Sequence, residues 1–125
     1  TPCGTLFPYT TLFRSRRLVD LGWEPHLWFS PSFPAYPSGH ATFGAAACEV
    51  LSDIFGEDYA MVDRSHEGRI EFLGIPRTFR SFREMAEENG YSRIPLGVHF
   101  RMDSEEGVRH GYAIGQRVDE LPIRK

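Results

Sequence analysis

Glycine stands at every fourth position of one stretch near the C-terminal end: Gly107, Gly111 and Gly115. Around them Val108, Tyr112, Ile114 and Val118 keep helical spacing, from a start near Asp103 until Pro122. At the start, Asp103 and Glu106 stand in the relation of an N-cap to an N3 residue. Each interior glycine costs about 1 kcal/mol of helix propensity relative to alanine. Three on one edge call for a compensating contact, and close packing against another helix is the reading preferred to a ligand role. This pattern constrains the chain to a fold of packed helices.

The partners are readable from their caps. Ser38 is an N-cap for a helix running to about Phe55, with Gly56 as the residue that stops it. Its apolar residues Phe43, Ala46, Ala47, Val50, Leu51 and Ile54 fall on a single face, as in an amphipathic helix. Ser81 and Glu84 form a capping-box pattern. The short helix they open carries Phe82, Met85 and Ala86 and is predicted to end before Gly90. Residues 22–37 hold four prolines and read as an extended, aromatic-rich loop. Residues 57–77 read as a loop with a weak strand-like alternation around Ile70 to Ile75. The predicted fold class is all-α, a helical-bundle fragment.

At 125 residues the chain has room for one domain. No apolar run reaches 18 residues, so no membrane-spanning helix is predicted. A net charge of −3 argues against nucleic-acid binding through bulk positive charge. The two cysteines, Cys3 and Cys48, are too few for a disulfide scaffold or a structural zinc site. Residues 5–15, TLFPYTTLFRS, resemble the translation of a sequencing-adapter oligonucleotide. Residues 1–15 are therefore expected to be non-native, with the native stretch spanning 16–125.

Two short runs carry chemistry. Pro37-Ser38-Gly39-His40 lies at a helix start, where free backbone N–H groups and the positive end of the dipole suit an anion. Ser38 adds a hydroxyl, Gly39 lets a ligand approach the backbone, and His40 titrates near neutral pH. Alone, such a run is usually a cap beside a solvated histidine. The second run is Ser92-Arg93-Ile94-Pro95-Leu96-Gly97-Val98-His99-Phe100-Arg101-Met102-Asp103. A helical turn would bring the Asp103 carboxylate beneath the His99 imidazole and fix its tautomer. Arg93 supplies a planar, permanently charged fork for an oxyanion. The spacing alone equally fits an ordinary His–Asp pair at a surface helix start.

Taken together, PSGH followed by SRxxxGVHFxxD resembles the second and third signature motifs of the superfamily of type 2 phosphatidic acid phosphatases and vanadium-dependent haloperoxidases. The runs FPAYPSGHATFG and SRIPLGVHF are most similar to those of the soluble haloperoxidases. The resemblance covers residues 22 to 120. It implies a tetrahedral oxyanion, vanadate or phosphate, where helix starts converge. It further implies that His99 bonds the vanadate, or attacks phosphorus in a phosphatase, and that Asp103 orients His99. Arg93, Ser38 and the Gly39 N–H would donate to the oxyanion, and His40 would be the acid–base residue.

The family's first motif, a lysine followed seven residues later by an arginine and a proline, is absent; Lys125 is the only lysine. Three readings stay open. The first is a vanadium haloperoxidase acting on halide and hydrogen peroxide. The second is a soluble acid phosphatase acting on phosphate esters through the same residues. The third is a non-catalytic, anion-binding relative. His26, His66 and His110 read as solvated histidines. Trp23, Trp28, Phe29, Phe33 and Tyr36 read as ordinary packing, and Cys48 as a small buried hydrophobe.

Overall fold

The computed structural model describes residues 33–70 and 74–122. Three helices and one small hairpin make up the described part: α1 (Gly39–Phe55), β1 (Met61–Asp63), β2 (Arg77–Phe79), α2 (Phe82–Tyr91) and α3 (Arg101–Asp119). The fold is helical, as the caps predict. Among the described residues, no helix is long and apolar enough to cross a membrane.

The glycines of α3 are its contact edge. All three are buried, and each faces α1. A Cβ on Gly107 would stand 2.5 Å from the Ser38 carbonyl oxygen and 3.0 Å from the Ala41 Cβ. One on Gly111 would fall on the Thr42 carbonyl oxygen, and one on Gly115 would stand 2.5 Å from the Glu49 Cβ. Carbon atoms not bonded to each other settle near 3.5–4.0 Å, so no side chain fits at these positions.

This close approach selects which face of α1 goes inward. Its buried residues are Ala41, Ala45 and Cys48, small side chains that suit a neighbour lying this near. Two of its larger apolar residues point the other way: Phe43 is 80% exposed and Ile54 52% exposed. The apolar stripe visible in the sequence is thus divided: Ala46 lies under α3 and Leu51 packs on the core, while Phe43 and Ile54 face out. The core gathers Ala45, Cys48, Phe82 and Ala86, with Leu51, Met61, Met85, Val108 and Tyr112 packed around them. Cys48 is a buried free thiol whose pKa is raised by desolvation, in keeping with a small hydrophobe.

Three local readings need correction. Residues 57–77 are not all loop: Met61, Val62 and Asp63 pair antiparallel with Phe79, Thr78 and Arg77. The alternation around Ile70 to Ile75 yields no strand among its described residues, and Ile70 is 95% exposed. Second, α2 runs through Gly90 to Tyr91. Gly90 is buried within it, where a Cβ would stand 2.9 Å from a Val108 methyl carbon, so this glycine serves packing rather than termination. Third, α3 begins at Arg101, two residues before Asp103, so Asp103 occupies N3 and not the N-cap.

The N-terminal caps of the other helices form as read. Ser38 Oγ accepts the Ala41 N–H at 3.3 Å, and Ser81 Oγ accepts the Glu84 N–H at 3.1 Å. Glu84 reaches back one residue further than a capping box requires, to the Arg80 N–H at 2.6 Å. At the far end of α1, Tyr59 stacks on Phe82 with centroids 5.4 Å apart and planes 2° from parallel. The loop portion 22–32, with Trp23, Trp28, Phe29 and His26, lies outside the described residues.

These contacts set a testable contrast. Gly111→Ala should destabilise the chain by about 1–3 kcal/mol, because the added methyl forces α1 and α3 apart. Phe43→Ser, at a far more exposed site, should change stability by no more than about 0.5 kcal/mol. Urea unfolding followed by circular dichroism reads both, and the reverse order would show that the glycine edge is not the central contact.

Candidate functional site

The same close approach brings the two motif-bearing helix starts together. Ser38, fully buried, donates its backbone N–H to the Asp103 carbonyl at 2.9 Å. Its own carbonyl accepts the Thr42 N–H and the Thr42 hydroxyl, both at 2.9 Å. Of the first-turn N–H groups of α1, Ala41 and Thr42 are thereby satisfied from within. Those of Gly39 and His40 have no intrahelical acceptor. Gly39 is exposed, and a Cβ built on it would meet nothing within 4 Å. The start of α1 therefore presents open backbone at Gly39, between the buried Ser38 and the exposed His40.

Asp103 organises the start of α3. Its Oδ2 accepts the Phe100 N–H at 2.8 Å, so an N3 carboxylate supplies the cap that Phe100 as N-cap residue cannot. The same oxygen stands 3.9 Å from His99 Nδ1, too far for a hydrogen bond but close for an electrostatic neighbour. Both side chains are almost fully buried. The sequence expectation that this carboxylate lies under the imidazole is met in position. The carboxylate's hydrogen bond, however, goes to the backbone.

Residues 92–100 form a run of tight turns that sets Arg93 beside His99. The Arg93 carbonyl accepts the N–H groups of Val98 at 3.2 Å and His99 at 3.4 Å. Gly97, whose N–H donates to the Ile94 carbonyl at 2.9 Å, has φ 75°, a conformation that favours glycine. Across the site, the Phe33 ring centroid lies 6.3 Å from that of His99.

Electrostatics identify what the arrangement suits. His99 has its pKa lowered, chiefly by desolvation. The Ala35 backbone and Asp103 oppose that shift, while Arg93 and His40 add to it. His40 is lowered in the same sense, first by desolvation and then by Arg93. Arg93 is itself lowered by desolvation. Three groups that can carry positive charge thus stand close enough to repel one another. At this site Arg93 Nε is buried without a hydrogen-bond partner, while His99 is turned toward the Ala35 backbone and the Asp103 carboxylate. A buried guanidinium nitrogen without a partner, beside two imidazoles whose charge is disfavoured, is a poor end state for a protein alone and a fitting one for a bound oxyanion. Vanadate or phosphate matches this donor set.

The six residues singled out from sequence, Ser38, Gly39, His40, Arg93, His99 and Asp103, are all drawn into this one region. His110 is not: it lies on the exposed side of α3, its Nε2 3.3 Å from Glu106 Oε1. Two residues at the site were missed. Asn89 Nδ2 donates to the His40 carbonyl at 3.3 Å, and a Cβ on Gly44 would fall on that amide nitrogen. A glycine in a helix interior was the available signal.

Comparison with known proteins supports a family assignment. A family model described as the VCPO second helical-bundle domain matches residues 14–122. A vanadium-dependent bromoperoxidase of Ascophyllum nodosum is 33% identical over 97 residues, which span 70% of this chain and 17% of that protein. A vanadium chloroperoxidase of Curvularia inaequalis is 32% identical over 109 residues, which span 61% of this chain and 18% of that protein. A solved bacterial vanadium-dependent iodoperoxidase superposes with a TM-score of 0.71 at 33% identity, covering 87% of this chain and 26% of that one. The chain spans less than a fifth of the length of either curated relative.

The dual position of Asp103 gives a prediction separable from activity. Asp103→Ala should lower stability by about 0.5–2 kcal/mol through loss of the Phe100 cap. Asp103→Asn, which keeps an acceptor there, should lower it by less. Thermal unfolding of the two variants checks the order, and equal losses would show that charge, not the cap, is what matters.

Proposed function

From a chain that belongs to the vanadium haloperoxidase family, we infer that the complete protein oxidises halide with hydrogen peroxide, using vanadate held at His99. The observation that carries this reading is the cluster of His40, Arg93 and His99, in which the buried Arg93 Nε is left without a partner. Similarity to a bromoperoxidase, a chloroperoxidase and an iodoperoxidase supports it. Residues 16–125 are read as the C-terminal part of a catalytic protein whose first motif, a lysine and an arginine, would come from outside this stretch.

His99 would hold the vanadate, and Arg93, the Ser38 hydroxyl and the Gly39 N–H would donate to its oxygens. When bound, vanadate supplies an electrophilic centre that activates peroxide toward halide with no change in the metal's oxidation state. Burial favours the neutral imidazole at His99, so its lone pair is available to an electrophile instead of a proton. Arg93 remains a cation and balances the charge of the anion. Ser38 Oγ already accepts the Ala41 N–H, which leaves its own hydrogen free to donate to an oxyanion.

His40 is exposed at the rim, where it can exchange protons with solvent. Desolvation and the nearby Arg93 favour its neutral form, the form that takes a proton from an incoming hydrogen peroxide. Asp103 acts on His99 indirectly, by capping α3 through the Phe100 N–H and by placing a negative charge near Nδ1. Phe33 gives the site an aromatic wall beside His99.

In the complete protein, His99→Ala should abolish bromide oxidation with hydrogen peroxide, and any phosphatase activity with it. Asp103→Ala should reduce both by about 10–100-fold, the usual effect of removing a group that supports a metal ligand. Wild-type turnover in His99→Ala would remove this assignment. The choice of reaction is tested by loading the protein with vanadate and comparing bromination of a phenol probe with hydrolysis of a phosphate monoester. Bromination should be the faster; ester cleavage without bromination would move the reading to the acid phosphatase.

A further inference from the structure

Asn89 belongs to no motif discussed above, yet it joins the two halves of the site. It lies in the last turn of α2, four residues before Arg93. Its carbonyl accepts the Ser92 hydroxyl at 2.7 Å, and the next carbonyl, that of Gly90, accepts the Arg93 N–H at 3.3 Å. Its side chain crosses to α1, where Nδ2 donates to the His40 carbonyl at 3.3 Å. The amide occupies space that exists only because residue 44, one turn beyond His40, is glycine: a Cβ there would fall on Nδ2. A glycine inside a helix lowers its stability, so this opening is a feature with a cost.

We propose that Asn89 is a positioning residue, whose carboxamide, seated in the notch left by Gly44, clamps the first turn of α1 and fixes His40 relative to Arg93. The inference rests on the oxyanion reading of the site only for its consequence, not for its geometry. The bond is made where α2 ends, two residues short of Arg93, next to Gly90, which itself lies against Ala41 of α1. Without the clamp, the first turn of α1 loses its side-chain tie to α2, and the His40 ring is freer to turn from the site to solvent.

The two residues can be perturbed from opposite sides. Asn89→Ala removes the carboxamide; Gly44→Ala leaves it intact but occupies its seat. In the 125-residue chain, well below its unfolding temperature, both variants should move the His40 ring resonances to the same new position in proton–nitrogen NMR spectra. The double variant should move them no further than either single one. His110, on the far side of α3, is the internal control and should stay in place. Unmoved His40 resonances, or additive shifts in the double variant, would overturn the proposal.

A second arm reads the consequence for the site. Orthovanadate titrated into the complete protein and followed by vanadium NMR should bind Asn89→Ala roughly 3- to 10-fold more weakly, the range of one ordinary hydrogen bond. His99→Ala should bind far more weakly still. Unchanged affinity in Asn89→Ala alongside a weakened His99→Ala counts against the clamp. Unchanged affinity in His99→Ala instead sinks the oxyanion reading, and the His40 spectra then judge the clamp by themselves.

Discussion

The close contact between α1 and α3 governs the rest of the molecule. Three glycines bring the α3 backbone against Ser38, Thr42 and Glu49, and only small side chains on α1 can lie under it. The contact is near enough for main chain to bond main chain, as in the 2.9 Å hydrogen bond from the Ser38 N–H to the Asp103 carbonyl. That bond fixes the register of the two helix starts. Larger residues at 107 or 111 would separate them and, with them, the two runs that bear the chemistry.

Asp103 shows how much depends on this register. Its carbonyl receives the start of α1, its carboxylate caps α3, and the same carboxylate stands near His99. Backbone, helix end and imidazole are therefore tied to one buried residue. A change in helix packing would be felt at the ring, and a change at the ring's neighbour would be felt in packing. Stability and site geometry are tied together here, which is why the site can hold groups that disfavour one another's charge side by side.

Those groups make the site's electrostatic character plain. His40, Arg93 and His99 disfavour each other's charge, and burial disfavours it further. The protein retains this arrangement although a hydrophobic replacement would relieve it. Retained strain of this kind is typical of functional sites. An anion there would give the Arg93 guanidinium a partner and its buried Nε an acceptor.

What the sequence determined by itself was local or motif-borne. Ser38 and Ser81 announce helix starts because a cap acts within three residues. The glycine spacing announces a close neighbour because no side chain projects from that edge. The six site residues were legible because their types and spacing resemble a known pattern. What only the tertiary structure decided involved partners distant in sequence. The pairing of Met61–Asp63 with Arg77–Phe79 depends on contacts about sixteen residues apart, which alternation in either strand does not report. The outward turn of Phe43 and Ile54 was invisible because hydrophobicity favours burying large residues, while the glycine edge admits only small ones. The link from Asn89 to His40 crosses 49 residues, and its trace in the sequence is a single glycine at 44 that reads as a defect until the amide is seen against it.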